Sequence, residues 1–315
     1  MKKLLFSIVM LFACSALFAQ RDLMLSQQFF SRLNINPSAT GNTDDVDFFL
    51  LGRWQWMGLD NSPKSGVMNV TNYFEKVRSG IGFSATYDDV GAANRTLNLK
   101  AAYAYHLNLN ESILMSFGLS AGILYHYFDS SKNTWLDPQE LQEQTLNYGD
   151  KLSKVHPDMD FGVELAMPKF MFGASVVHLL SNEEQVNTSM PGRQFNWYVR
   201  GLFSFSENFD LAPAICFTHR NSTNRAELNV MAFIKRFIWF GITYRPDLNG
   251  EDSFSSNMLH FNVGVEYKIF RIGYAFELGL GDISNVSSNS SELLLSFRIE
   301  KKKNKTVRFL EDEEP

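Results

Sequence analysis

Residues 97–109 read LNLKAAYAYHLNL. Every odd position from Leu97 to Leu109 is apolar or aromatic, and every even position is polar or small. Successive side chains of an extended chain point to opposite faces, so a period of two marks a strand with one greasy face. Such a strand is about twice the usual length in a soluble domain. A chain that repeats this pattern must find a home for many long, one-sided strands.

The pattern does repeat. GIGFSATY sets Ile81, Phe83, Ala85 and Tyr87 against Gly82, Ser84 and Thr86, and SILMSFGLSAGILYHY sets Ile113 through Tyr127 against Ser116, Gly118, Ser120, Gly122 and His126. HFNVGVEYKI, FRIGYAFELGLG and SELLLSFRI continue it to Ile299. About fourteen strands are read, near 45–56, 65–74, 78–88, 96–108, 112–128, 158–168, 169–180, 194–206, 209–219, 225–235, 236–245, 256–268, 269–281 and 291–300.

Alternation alone does not separate a soluble sandwich from a transmembrane barrel. Connection lengths do. Those at 75–77, 109–111, 168–169, 207–208, 235–236 and 268–269 are tight, whereas those at 57–64, 89–95, 129–157, 181–193, 220–224, 246–255 and 282–290 are mostly long and rich in Asn, Ser, Asp and Gly. Short turns on one rim, long loops on the other and an even strand count are the pattern of an outer-membrane barrel. The polar faces carry much Gly and Ser, as a barrel interior does, and Tyr, Phe and Trp gather near strand ends as in an interfacial girdle. The expected fold is therefore all-β: a transmembrane antiparallel up-and-down barrel over 45–300, preceded by a short non-barrel segment.

Composition agrees. Aromatic residues are 14% of the chain, with 28 Phe, yet beyond the first residues no stretch approaches the roughly 18 apolar residues of a spanning helix. MKKLLFSIVMLFACSALFAQ has a basic start, an apolar core too short to span and a small-residue end at Ala19, so residues 1–19 read as a secretory signal peptide. A buried first helix and lipid attachment at Cys14 are the alternatives, the latter disfavoured by bulky Phe12. Loss of the leader removes two of 29 basic residues and none of 34 acidic ones, leaving no basic footprint for nucleic acid. Cys216 then stands alone, without a disulfide or a paired metal-ligand spacing. No cofactor is implied.

Two segments lie outside the barrel pattern. In 20–44, Leu25, Phe29 and Leu33 form a weak helical stripe before Asn36-Pro37, a turn signal. This segment is expected at the periplasmic mouth or inside the lumen as a plug. Residues 301–315, a basic run and then an acidic one, read as a charged periplasmic tail, flexible or alternatively a docking arm. Trp135 with a short helix over 137–147 is expected in the longest loop, as a contact for an exported client or a simple lid.

The order of short motifs resembles the PorP/SprF family of Bacteroidetes outer-membrane proteins. LSQQFFSRLNINPSATG (25–41) is similar to that family's opening, with Asn36, Pro37 and Gly41 in place but Ala39 where the family has an aromatic. GRWQWMGLDNSPKSGVMNV (52–70) matches its next block through Arg53, Gln55, Trp56, Gly58, Pro63 and Lys64, and HPDMDFGVEL and FGASVVHLL match its middle. The resemblance implies a non-enzymatic outer-membrane component of type IX secretion, set among outer-membrane lipids. It implies contact with the periplasmic ring and peptidoglycan-binding subunits, export or display of an adhesin-like client, and gliding motility in some relatives.

The remaining question is chemistry. On the polar register lie Lys100, Glu164, Arg200, Glu266, Lys268, Arg271, Glu277 and Arg298, whose mixed signs favour an internal network and a filled lumen over a single-sign pore. A porin or transport channel is the alternative. A rim-located hydrolase is a second, drawn from His126, His178, His219 and His260 near the outer rim and from His156, Asp158 and Asp160. Their spacing matches no known catalytic motif, and His178 and His219 fall on the lipid-facing register.

Overall fold

The computed structural model describes residues 23, 25–59, 61–90, 94–129, 151–181, 191–220, 223–246, 248, 257–280, 289–299 and 301. Expectations for the leader, for Trp135 and the helix over 137–147, and for the tail beyond Lys301 fall outside these residues. The described chain forms strands β1 Val46–Trp54, β2 Lys64–Phe74, β3 Ser79–Val90, β4 Asn94–Asn110, β5 Ile113–Asp129, β6 Lys151–Ala166, β7 Phe170–Val177, β8 Gln194–Gly201, β9 Phe203–Ser206, β10 Phe209–Arg220, β11 Thr223–Ile234, β12 Ile238–Arg245, β13 Met258–Tyr267, β14 Phe270–Gly279 and β15 Ser290–Ile299. Each pairs antiparallel with its neighbours, and β15 pairs with β1 from Ile299 against Val46 to Ser291 against Trp54.

β8 and β9 lie end to end along β10, parted at Leu202, whose N–H donates to the Lys169 carbonyl at 2.9 Å. They make one stave, and β10 pairs on its other side with β11. The wall is a closed barrel of fourteen antiparallel staves. Closure follows from the solvent: in hydrocarbon an unpaired strand edge has no water to satisfy it.

The alternation sorts side chains as expected. Odd residues of β4 look out, with Tyr103 and Tyr105 exposed, while Ala102, Ala104 and His106 are buried inside. Around the wall Ile81, Phe83, Leu119, Phe240, Ile242, Val263 and Ile272 are exposed on one continuous outer face, far more apolar surface than a soluble monomer displays. Aromatic pairs ring the short-turn rim: Phe48–Phe297 stack at 4.4 Å, Phe170–Phe203 meet edge-on at 5.6 Å and Phe237–Tyr267 at 6.4 Å. That is the girdle that seats a barrel at the head groups.

Strand β6 begins at Lys151, not near 158. Its first turnless stretch pairs with β5 as far as Asp129, where the sequence pattern suggested loop. Here the outward positions include Lys151 and Ser153, so both faces are polar and the amphipathic signal vanishes although the ladder continues. β4 and β5 run 17 residues each, longer than the roughly 9–11 that a span needs, so this side of the wall rises past the hydrocarbon. At the other end of the comparison, β7 stops at Val177 after 8 residues.

Because Val263 sits mid-strand on the outer face, Val263→Arg should weaken the barrel by about 2–4 kcal/mol in lipid vesicles, read by urea unfolding. Glu111→Arg, in the turn joining β4 to β5, should change little. A neutral Val263→Arg would mean that this face does not meet lipid.

Candidate functional site

The segment before β1 is inside the barrel. The sequence stripe at Leu25, Phe29 and Leu33 does not wind into an α-helix; it breaks into three 3-10 turns, Gln28–Phe30, Arg32–Asn34 and Pro37–Ala39. Leu25 and Phe30 pack with Phe49, Leu51, Val67, Met231, Trp239 and Leu294, with Phe30 and Trp239 ring centroids 4.5 Å apart. Phe29 and Ile35 join a second cluster with Met171, Tyr198, Ala214 and Cys216. The lumen is thus partly apolar where this plug docks.

Asn36 organises the last turn. Its Oδ1 accepts from the Ser38 N–H at 3.0 Å and from Ser38 Oγ at 2.7 Å, capping the turn that Pro37 opens. Its Nδ2 donates to the Val163 carbonyl and to Tyr198 Oη, both at 3.0 Å. An amide this deeply buried has every hydrogen-bonding position used, which offsets its desolvation. Thr40 O is met by His106 Nε2 at 2.9 Å, while His106 Nδ1 lies 2.8 Å from Ser116 Oγ.

The wall is carved to fit. Gly41 has φ +66°, and a side chain on it would strike the Gly80 backbone. A Cβ on Gly80 would overlap Thr40, one on Gly118 the Ser38 backbone, and one on Gly162 the Asn36 amide. Glycines on β3, β5 and β6 therefore let NPSATG lie against the strands at backbone contact.

Ion pairs tether the rest. Arg32 Nε donates to Glu164 Oε2 at 3.0 Å, and Tyr198 Oη donates to the same carboxylate. Both Glu292 oxygens accept the Ser26 N–H, at 2.8 and 2.9 Å; Arg53 then bridges Glu292 at 2.6 Å and Glu277 at 2.8 Å. Arg245 holds Glu227 at 2.7 Å, whose other oxygen accepts from Gln28 at 3.1 Å. A fourth group sits higher, where Lys100 Nζ lies 2.8 Å from both Asp158 and Asp160. Those carboxylates and His178 are close enough together to suggest a cation site, but the Lys100 ammonium holds that place.

Of the residues read from sequence as luminal, Glu164, Arg200 and Glu277 are buried inside, and Lys100 points inward with its side chain 11% exposed. Glu266 and Arg271 pair at 2.5 Å towards the short-turn rim, with Arg271 4.7 Å from the Phe30 ring, and Arg298 approaches Asp47 at 3.7 Å. Lys268 is not on the luminal wall: it stands exposed in the β13–β14 turn, φ +54°, over the Tyr267 ring. Of the motif-matched residues Arg53, Gln55, Trp56, Gly58, Pro63 and Lys64, Arg53 is the one that reaches the lumen, where Val67 and Asn69 of the same block also meet the plug. Gln55, Trp56, Gly58 and Pro63 fold the β1–β2 loop, where Gln55 N–H donates to Pro63 O at 3.0 Å and Trp56 N–H to Ser290 Oγ at 3.2 Å, and Lys64 is exposed at the start of β2.

His178 is also displaced from its expected register. It follows the end of β7 with φ +57°, which turns it inward so that Nδ1 lies 2.8 Å from Asp158 and its N–H donates to Asp160 at 3.0 Å. His219 does face outward, beside Phe195. His260 is fully buried beside the plug, with Ser26 Oγ 2.5 Å and Glu277 Oε2 3.3 Å from the same nitrogen, Nδ1. A serine relay needs the hydroxyl on one ring nitrogen and the acid on the other, so this trio is a tether.

Sequence reasoning passed over Arg32, Tyr198, Arg245, Glu227 and Glu292. A signal existed: FFLL at 48–51, LLL at 293–295 and FIWF at 237–240 are apolar at both parities, marking where an apolar guest must press on the inner wall. Between the plug and the long-loop rim remains a cavity of about 250 Å³ floored by Leu25, Leu33 and Ile35.

The family model described as "Type IX secretion system membrane protein PorP/SprF" matches residues 17–297. The chain belongs to the PorP/SprF family. No curated protein sequence matches it. Among solved structures, this PorP/SprF barrel is similar to the toluene transporter TbuX of Ralstonia pickettii, at 10% identity over 84% of this chain and 92% of that one, with a TM-score of 0.53. It is also similar to the toluene transporter TodX of P. putida, at 9% identity over 85% and 93%, TM-score 0.50. Such likeness describes the fold alone.

Arg53→Ala would leave Glu292 buried without its cation and Glu277 with Arg245 at 3.8 Å, with an expected loss of about 3–5 kcal/mol in reversible unfolding. Gly118→Val should dislodge NPSATG, so that trypsin, excluded from buried Arg32 in the native protein, cuts there.

Proposed function

We propose that this protein serves type IX secretion as a plugged barrel, a fixed outer-membrane component rather than the conduit itself. The observation that carries the reading is the filling of the lumen by residues 25–41, held by Glu164, Glu292 and the glycine cradle, in a chain that matches the family over most of its length. A folded or extended client has no path past a segment pinned at that many points.

In this reading the short-turn rim and both termini face the periplasm, where the ring and peptidoglycan-binding subunits dock. The long-loop rim faces the exterior and meets an exported, adhesin-like client, for display or for gliding. Lys301 supports a periplasmic anchor point: its N–H donates to Asp45 Oδ1 at 3.0 Å and its ammonium to Tyr73 O at 2.7 Å, fixing the start of the charged tail beside the plug's exit. No residue is given a catalytic role. A second reading, a porin or transport channel for small molecules, is favoured by the chamber left open above the plug.

Two measurements divide these readings. In planar bilayers the intact protein should show almost no steady current, and deletion of 20–41 should open a large one; equal currents would refute the plug. Pull-down from solubilised outer membranes should recover ring subunits with the intact chain and lose them on removal of 303–315. Recovery unchanged by that truncation would place the contact elsewhere.

A further inference from the structure

The cavity above the plug has a lining divided by chemistry. Its floor is aliphatic, from Leu25, Leu33 and Ile35 of the plug with Leu124 and Val177 of the wall. Around that floor stand neutral hydrogen-bonding side chains, among them Thr86, Thr96, Asn98, Ser120 and Gln194. The charged groups that reach the cavity are already engaged. Lys100 lies between Asp158 and Asp160, Asp88 accepts from Ser65 Oγ at 2.5 Å, and Arg220 also has partners.

An ion entering here would shed its hydration without meeting a free counter-charge, which is strongly unfavourable. An apolar body would gain by covering the leucines, provided that its polar end reached the hydroxyl and amide ring. Size narrows the guest further. At about 250 Å³ the cavity falls below the roughly 300–1,000 Å³ of pockets that enclose a whole drug-sized ligand. A cavity of about 150 Å³ already takes a bare benzene ring, so this one admits a single substituted ring together with its polar end.

We propose that this chamber, between the plug and the long-loop rim, is a binding site for an uncharged group with an apolar body and one hydrogen-bonding end, about the size of a tyrosine side chain. The group arrives either as a free small molecule or on a polypeptide, and the site does not depend on which secretion subunits the barrel contacts. The plug is part of the site, since it supplies the floor.

The test uses the full-length protein in detergent with p-cresol as probe, followed by ligand-observed NMR. Thr96→Trp and Thr86→Trp each place an indole in the chamber from a wall strand, and heat-dependent gel migration checks that each variant has folded. We expect p-cresol to bind the native protein and to lose about tenfold or more in affinity in either folded variant. Tyramine and 4-hydroxybenzoate, charged analogues of the same shape, should bind at least about tenfold more weakly than p-cresol. N-acetyltyrosinamide separates the sources: tighter binding than p-cresol indicates a polypeptide, weaker binding a free small molecule. Absence of p-cresol binding to the native protein, binding unchanged in the tryptophan variants, or equal binding of the charged analogues would each overturn the proposal.

Discussion

Hydrocarbon offers no hydrogen bonds, so every strand of a membrane-spanning sheet must find a partner on both sides, and the sheet closes. In this chain closure is the pairing of β15 with β1. Once fourteen staves close, the interior is too wide for wall side chains alone to fill. The protein fills it with its own N-terminal segment. That segment brings apolar residues and backbone amides into a polar space, and the inner wall answers each: aromatic and aliphatic positions for Leu25 and Phe30, carboxylates for Arg32 and the Ser26 N–H, glycines for the NPSATG backbone.

The consequence for function follows from the number of anchors. A plug held at a single ion pair could swing aside with a modest change in conditions. Here Glu292 and Glu227 each grip both a wall arginine and a plug group, Glu164 grips Arg32 of the plug itself, and the Asn36 amide is saturated from both sides. Releasing it would expose several buried charges at once, each costly to strand. The lumen therefore behaves as a packed core on its lower side and as a small chamber above.

Much of this was legible beforehand, and the reasons differ by element. The barrel showed in the parity of side chains and of loop lengths, because lipid on one side and a lumen on the other impose that order over more than 250 residues of chain. The mixed charges of Lys100, Glu164 and Glu277 also showed, since they sit mid-strand where parity is strict. Lys268 was misplaced because a turn residue has no parity to inherit, and His178 because a positive φ reverses the face on which a residue emerges. The N-terminal segment looked weakly helical from Leu25, Phe29 and Leu33. Its real form is set by partners contributed by strands more than a hundred residues away, as in Arg32 with Glu164, which no local pattern contains. The double-parity runs FFLL, LLL and FIWF were the visible trace of those partners.

The central claim is that residues 25–41 are a resident part of the barrel. Hydrogen–deuterium exchange on the protein in lipid nanodiscs tests it most directly. Amides of Ile35, Ala39 and Thr40 should exchange as slowly as those of β5 and β6, whose strands enclose them. Exchange of this segment within seconds, while the strands stay protected, would show that it leaves the lumen freely and would contradict the account.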